Sequence, residues 1–329
     1  MKIRTTILAI TASVVLVTAC TGQTIAGLAP AVDPGGRSLA YLEYTGQGLG
    51  YRIVTRNVGR TGEPRVIEPD VAETQLAWSP DGRRLAYVVE NAERQPALRV
   101  TNVNAGAAEV VELRVPLAPS PFGVAFVDDA HVLVGAGSAL LVADLSNGTA
   151  KKIFESTTDL VPRLGSISVS AAGRIAFTCG GTAADDVESI CVVENMQRVS
   201  PRIVATGSVT TPVWRSHDEL LYSRGATVWE RDHFAVQRRH LWLLNVTTGR
   251  SRQLTSGDVV DSWPSVEPST GRLAFARIDL SKAKTSMPET GRDPSFVSGL
   301  ERGFNSVEAL LRRSTIVWTE VTARERRRP

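Results

Sequence analysis

Cysteine is scarce, at three in 329 residues, which excludes a fold stapled by a disulfide framework. Lysine is scarce too. The chain has 5 Lys against 32 Arg, and its 34 acids nearly cancel its 37 bases. That bias points to a GC-rich genome more than to a nucleic-acid groove, which needs a net basic surface. Aromatic residues make up 6%, so Val, Leu, Ala and Ile must build the core. No apolar run is long enough to cross a bilayer, which takes about 20 residues. The longest, Ile7 to Val17, is already broken by Thr11 and Ser13. Gly-x-Ser-x-Gly, His-Glu-x-x-His and the phosphate-loop pattern ending in Lys-Ser/Thr are all missing. Gly46-Gln47-Gly48-Leu49-Gly50 lies between two expected strands with no helix after it, and reads as a hairpin tip. The four histidines, His131, His217, His233 and His240, lack ligand spacing. No metal or cofactor is expected.

What is present begins with an address. Lys2 and Arg4 precede the short apolar run, which ends in Val17-Thr18-Ala19-Cys20. A basic start, a short apolar stretch and small residues before a cut mark an export signal. The final tetrapeptide has the form of a bacterial lipobox, in which the Cys receives a diacylglycerol thioether before cleavage. Residues 1–19 are therefore expected to be removed and Cys20 to carry lipid. Two or three acyl chains hold a protein firmly where one does so only marginally. Loss of Lys2 and Arg4 takes the formal charge from +3 to +1. Thr21 rather than Asp follows the Cys, which in a Gram-negative cell permits sorting to the outer membrane. The expected place is outside the cytoplasm, lipid-anchored.

A repeat of about 46 residues organises the rest. Its clearest copy is Leu76-Ala77-Trp78-Ser79-Pro80-Asp81-Gly82-Arg83-Arg84-Leu85-Ala86-Tyr87-Val88. It reads as strand, tight turn, strand: Pro80 presets φ, Asp81 bonds back to the backbone and Gly82 takes the positive φ. The first apolar residue after each turn is Leu39, Leu85, Val132, Ile175, Leu220 or Leu273, spaced 46, 47, 43, 45 and 53 apart. A third strand succeeds each pair, as in Ala97–Val100 and Leu241–Leu244, and a fourth in most. Several short strands repeated at such a period indicate an all-β propeller. Six copies give six blades, over about 25–71, 72–119, 120–159, 160–207, 208–257 and 258–321, with a basic tail at 322–329. The last blade is expected to be completed by the tail after Thr322 or left open, because the segment before blade 1 is short.

Trp78-Ser79-Pro80-Asp81-Gly82-x-x-Leu85-Ala86-Tyr87 resembles the WD40-like repeat of TolB-type propellers, as do Val142–Gly148 and Leu243–Gly249 after the third strands. The resemblance covers residues 25 to about 321, with only the second copy a full match. It implies the fold and not TolB's role or partners. TolB proteins are soluble and periplasmic, with an extra α/β domain in place of which this chain shows a lipid anchor. The motif residues build turn and core and carry no chemistry.

Two cysteines remain after Cys20. If the blade 4 hairpin pairs residues summing to 370, Cys179 faces Cys191 and Phe177 faces Val193. A disulfide is then expected in an oxidising compartment, with two buried thiols as the alternative.

The connections between second and third strands are unequal. Blade 3 has only Gly135–Ser138. Blade 5 has about sixteen residues from Arg224, and blade 6 about 34, from Asp279 to Arg313. Within the latter, residues 305–312 read as a short helical insertion behind Asn305. Long loops on a rigid scaffold are where function concentrates. The expected partner-binding face therefore carries Trp229, Glu230, Arg231, Asp232, His233, Phe234, Arg238, Arg239, Phe296, Arg302 and Phe304. The function expected is an envelope protein-binding or scaffolding module. An enzyme such as a lyase or glycan hydrolase at the channel mouth, or a metal or small-ligand sensor, is the alternative. The expected partners are an envelope protein or peptide and the lipid bilayer. Nucleic acid is not among them, and the chain is expected to be a monomer.

Overall fold

The computed structural model describes residues 25–45, 50–60, 62–90, 96–103, 110–113, 123–136, 139–156, 161–180, 188–229, 235–283 and 314–320. A two-residue strand, β1 (Ile25–Ala26), precedes the repeats. Repeat 1 forms β2 (Leu28–Val32), β3 (Ser38–Tyr44), β4 (Tyr51–Asn57) and β5 (Arg65–Val71). Repeat 2 forms β6 (Ala77–Trp78), β7 (Arg84–Glu90), β8 (Pro96–Asn102) and β9 (Val110–Leu113). Repeat 3 forms β10 (Val124–Phe126), β11 (His131–Ala136), β12 (Ala139–Asp144) and β13 (Thr149–Glu155). Repeat 4 forms β14 (Val161–Val169), β15 (Ile175–Gly180), β16 (Glu188–Val193) and β17 (Arg202–Thr206). Each of these four repeats is one antiparallel sheet in chain order.

Repeat 5 supplies β18 (Val209–Trp214), β19 (Glu219–Trp229), β20 (Ala235–Asn245) and β21 (Ser251–Gln253). Repeat 6 supplies β22 (Val259–Val266), β23 (Arg272–Asp279) and β24 (Thr315–Glu320). The expectation of six separate blades is corrected here. Hydrogen bonding gives four separate four-stranded blades and one eight-stranded sheet. The cause is local: β20 is long enough to touch β22 through one parallel bridge, Arg239↔Val260. The helix expected over 305–312 lies outside the described residues, so no helical insertion is supported. Among the described residues the helical part is one turn, α1 (Leu280–Ala283).

Sheets packed on both faces need apolar inner strands. β15 is buried along its whole length, whereas outer strands such as β13 and β21 are largely exposed and polar. Lys151 and Lys152 on β13 blunt an edge that is otherwise open to pairing. The apolar core divides into six clusters; five are each shared by two repeats consecutive round the ring, and the sixth joins repeats 1 and 2 with Ala276 of repeat 6. Val124, Phe126 and Val134 of repeat 3 pack on Ala86, Val88 and Leu98 of repeat 2. Val32 and Tyr41 of repeat 1 meet Ala274 and Ile316 of repeat 6. An Arg before the second strand adds a polar link to the next repeat. Arg84 lies 5.9 Å from the Phe126 ring and donates to the Asp129 carbonyl at 2.5 Å. Arg174 lies 4.7 Å from the Trp214 ring and donates to the His217 carbonyl at 2.6 Å. A cation over an aromatic face contributes about 0.5–2 kcal/mol, more as water is excluded. The turn chemistry matches the sequence: Gly82 has φ +69°, and Asp81 accepts from Ser79 Oγ at 2.5 Å and Arg83 N at 3.0 Å.

Closure of repeat 6 is the second correction. β1 pairs with β24, Ile25 opposite Ile316 and Ala26 opposite Thr315, so the N-terminal segment forms the fourth strand. Gly27 N donates to the Ser314 carbonyl at 3.0 Å, and Ser314 Oγ donates to the Gly27 carbonyl at 2.9 Å. Two residues suffice because Ser314, itself fully buried, adds a side-chain bond to the backbone pairs.

Blade 4 corrects the assumed register. Cys179 stands opposite Ser189 and Cys191 opposite Phe177, a slip of two residues that keeps the same face. The sulfurs meet on the diagonal, 2.06 Å apart with Cα atoms 5.9 Å apart. Closing the short loop between positions 179 and 191 contributes roughly 2–3 kcal/mol on the chain-entropy account. Reduction of the folded protein is expected to lower its denaturation midpoint accordingly; an unchanged midpoint with both thiols shown free contradicts this.

Candidate functional site

First strands of the repeats surround a central channel. Its cavity of about 250 Å³ is lined by six chain segments, one per repeat, with Trp78, Phe126, Trp214 and Trp263 among Pro30, Pro212 and Pro264. Aromatic and proline walls come from the strand that each repeat begins with. Three of these strands are bulged at a residue before proline. Ala29, Thr211 and Trp263 take φ of +46°, +52° and +52°. The ladder register shifts across each of them. A non-glycine residue in this region costs about 1–3 kcal/mol and persists only where its surroundings hold it. Trp78 shows how they do, its Nε1 donating to the Ala31 carbonyl at 2.9 Å.

Gln75 ties three repeats together across the channel. Its Nε2 donates to the Ile167 carbonyl at 2.7 Å, and its Oε1 accepts from Ile167 N at 2.9 Å and Val124 N at 3.3 Å. The side-chain amide thus stands in for a neighbouring strand. Gly123 makes room for it, since a Cβ there would lie 2.7 Å from Ile167 Cγ1 and 3.1 Å from Gln75 Oε1. On β18, Thr211 Oγ1 and Trp214 Nε1 are buried without a hydrogen-bond partner among the described residues. Both residues line the channel cavity.

A second polar cluster lies where repeats 5 and 6 meet. Asp261 is fully buried and is held by Arg277 through Nε at 2.6 Å and NH2 at 2.8 Å. Its carbonyl accepts from Ser223 Oγ at 2.6 Å. Burial holds the nearby His240 below the ordinary histidine range; Asp261 pulls the other way and Arg277 and Arg238 add to the lowering. Among the described residues no three His, Cys, Asp or Glu side chains gather as a metal site.

The expected partner face is only partly described. Glu230, Arg231, Asp232, His233, Phe234, Phe296, Arg302 and Phe304 lie outside the described residues, as does Cys20. The sixteen-residue loop expected from Arg224 is corrected: most of it is strand, with β19 and β20 paired as far as Trp229↔Ala235. Arg238 pairs with Asp258 at 2.8 Å, and Arg239 reaches Thr210 Oγ1 at 3.0 Å and Glu188 at 3.4 Å. These two Arg therefore brace the sheet. Gln75, Asp261 and Arg277 were not singled out from sequence; a polar residue inside an apolar run is the one signal that marks Asp261.

The fold these elements make is a TolB-like β-propeller. No protein-family profile matches the chain, and no curated protein sequence matches it. Solved structures do. TolB from Acinetobacter baumannii is similar at TM-score 0.57 and 16% identity, covering 72% of this chain and 56% of that one. The chain thus spans little more than half of that protein. Kuenenia stuttgartiensis hydrazine synthase is similar at TM-score 0.53 and 14% identity, covering 93% and 90%. The putative TolB from Agrobacterium tumefaciens is similar at TM-score 0.51 and 15% identity, covering 69% and 80%. At these identities the likeness is one of fold.

Gln75→Ala leaves the N–H groups of Ile167 and Val124 and the carbonyl of Ile167 without this partner. Leaving such groups unpaired costs about 1–3 kcal/mol. The unfolding free energy is expected to fall by that amount in denaturant titration. A change inside about 0.5 kcal/mol, the usual surface range, contradicts the bridging role.

Proposed function

We propose that this chain is an extracytoplasmic lipoprotein, anchored through Cys20, whose propeller is a protein-binding module. On this reading the eight-stranded sheet is two blades, which makes the ring six-bladed. Six apolar clusters between consecutive repeats support that count. The partner is an envelope protein or peptide, and it meets the side carrying the second-to-third strand connections of repeats 5 and 6.

One observation carries the reading: the asymmetry of those connections. β11 and β12 pair over six residues each, whereas β19 and β20 pair over eleven. That hairpin outruns β18, whose pairing with β19 ends at Val209↔Arg224. A ring needs no such projection to close. The 35 residues from Asp279 to Arg313 add Phe296, Arg302 and Phe304 in repeat 6, and aromatic and Arg side chains dominate interface energetics.

Replacing residues 281–312 by a short Gly-Ser linker is expected to leave thermal unfolding unchanged. Capture of the partner from envelope extracts is expected to weaken by about tenfold or more, or 1.4 kcal/mol. An intact fold with an unchanged set of captured proteins contradicts the proposal.

A further inference from the structure

We propose that the central channel holds a small, neutral, flat ligand rich in hydrogen-bond acceptors: a ring compound bearing carbonyl or ester oxygens. The two halves of the channel wall are unlike. Repeats 2, 3 and 4 are tied to one another by Gln75, which bonds Val124 and Ile167. Repeats 5, 6 and 1, also consecutive, carry the three bulges. At each bulge two residues drop out of the ladder register: Thr211-Pro212, Trp263-Pro264 and Ala29-Pro30. A bulge gives up ladder pairing and re-aims side chains.

The polar groups left over are on the bulged side. Thr211 Oγ1, Trp214 Nε1 and Arg215 Nε are buried without a hydrogen-bond partner among the described residues, and all three residues line the cavity. Thr211 is 7% exposed and Trp214 8%, so neither finds a partner in bulk water. An indole or guanidinium N–H donates and does not accept, while a hydroxyl can do either. Two further hydroxyls line the same cavity. Ser168 Oγ accepts from Trp214 N at 3.1 Å and Ser265 Oγ from Val32 N at 2.9 Å, so each keeps a hydrogen to donate. Buried polar groups are almost always paired, and those left over call for a water, ion or ligand. The occupant that satisfies this set brings acceptors.

Charge and shape narrow the class. Among the described residues that line the cavity only Arg215 is charged, and Glu219 Oε2 lies 2.6 Å from its NH1. No carboxylate or histidine is among them, so a metal ion or a basic ligand meets no counter-charge. An anion meets a cation that is already paired, and burying an unpaired charge is costly. A sugar ring needs acceptors for several hydroxyls, and the spare side-chain groups are donors. Flat apolar surface comes from Trp78, Phe126, Trp214 and Trp263. The cavity of about 250 Å³ has the room of about eight waters at ~30 Å³ each, which suits a small ring compound and not a protein partner. Pro34 and Pro268, in the first turns of repeats 1 and 6, also line it, so it reaches the turn side of the ring. The site is separate from the connections of repeats 5 and 6 to which the protein partner is assigned, and either can fail without the other.

The test uses the full chain labelled with nitrogen-15 at its six Trp, whose indole N–H signals report on the channel. The probe is coumarin, which is flat and neutral and has acceptor oxygens but no donor. It is expected to shift the Trp214 indole signal saturably, that signal being the one lost in Trp214→Phe. Indole, a flat donor without an acceptor oxygen, and benzoate, a flat anion, are expected to bind at least about tenfold more weakly. Trp214→Phe keeps an apolar ring and removes the N–H; Thr211→Val keeps the shape and removes the hydroxyl. Each is expected to weaken coumarin binding about five- to tenfold in calorimetry, with the fold retained in thermal unfolding. Trp242→Phe, outside the cavity, is expected to bind as the parent does. Absence of a saturable shift, a channel filled by water only, overturns the proposal. So does indole or benzoate binding as tightly as coumarin, or a folded Trp214→Phe or Thr211→Val that binds coumarin as the parent does. If one of these variants fails to fold, the other decides.

Discussion

A ring of sheets has one junction that the chain order does not make for it, where the last repeat meets the first. Here that junction rests on β1. Ile25 and Ala26 complete repeat 6 and, after Gly27, the chain enters the first strand of repeat 1. The same few residues thus belong to both sides of the seam. Ser314 bonds Gly27 in both directions, and Val32 N donates to Ser265 Oγ at 2.9 Å from one side to the other. The apolar cluster shared by Val32, Tyr41, Ala274 and Ile316 supplies the burial that makes so short a strand worth ordering.

Once closed, the ring holds features that an open stack of sheets does not. The three bulged Xaa-Pro positions and the Gln75 bridge need first strands fixed on opposite sides of the channel. Gln75 reaches Ile167 two repeats away, a contact that exists only if repeats 2, 3 and 4 keep their angles. Arg84 and Arg174, each laid over an aromatic ring of the next repeat, set those angles from the turn side. Where repeats 5 and 6 meet, Ser223 Oγ donates to the carbonyl of Asp261, whose buried carboxylate is held within repeat 6 by Arg277. The outcome is a rigid body with two unlike ends. One carries hairpins of unequal length; the other carries short turns and the last residues of β24.

Much of this was legible in the residues. The period of about 46 residues and the Pro80-Asp81-Gly82 turn mark a propeller because both are local: spacing and φ preference need no knowledge of partners. What failed was long-range or relative. Closure by β1 depends on a two-residue strand too short to carry a pattern. The Cys179–Cys191 link was placed on the right face with the wrong register, since a slip of two preserves every side chain's face. Repeat 5 was expected to carry a loop of about sixteen residues from Arg224, yet Arg224 and Gly225 pair within the ladder, with His240 and Arg239. At the candidate site, Trp78 was visible as part of the turn motif, but Trp263 and the prolines of the first strands were not singled out. Gln75 was not, because its partners are 49 and 92 positions away.

The central claim, that the N-terminal strand locks the ring, is tested most directly by hydrogen exchange at the Gly27 amide. That N–H bonds the Ser314 carbonyl across the seam. If β1 is part of the closed ring, Gly27 exchanges only through global opening, with the same free energy as amides of the buried strand Leu39–Tyr41. Exchange of Gly27 at the rate of an open loop, with Leu39–Tyr41 still protected, contradicts the account.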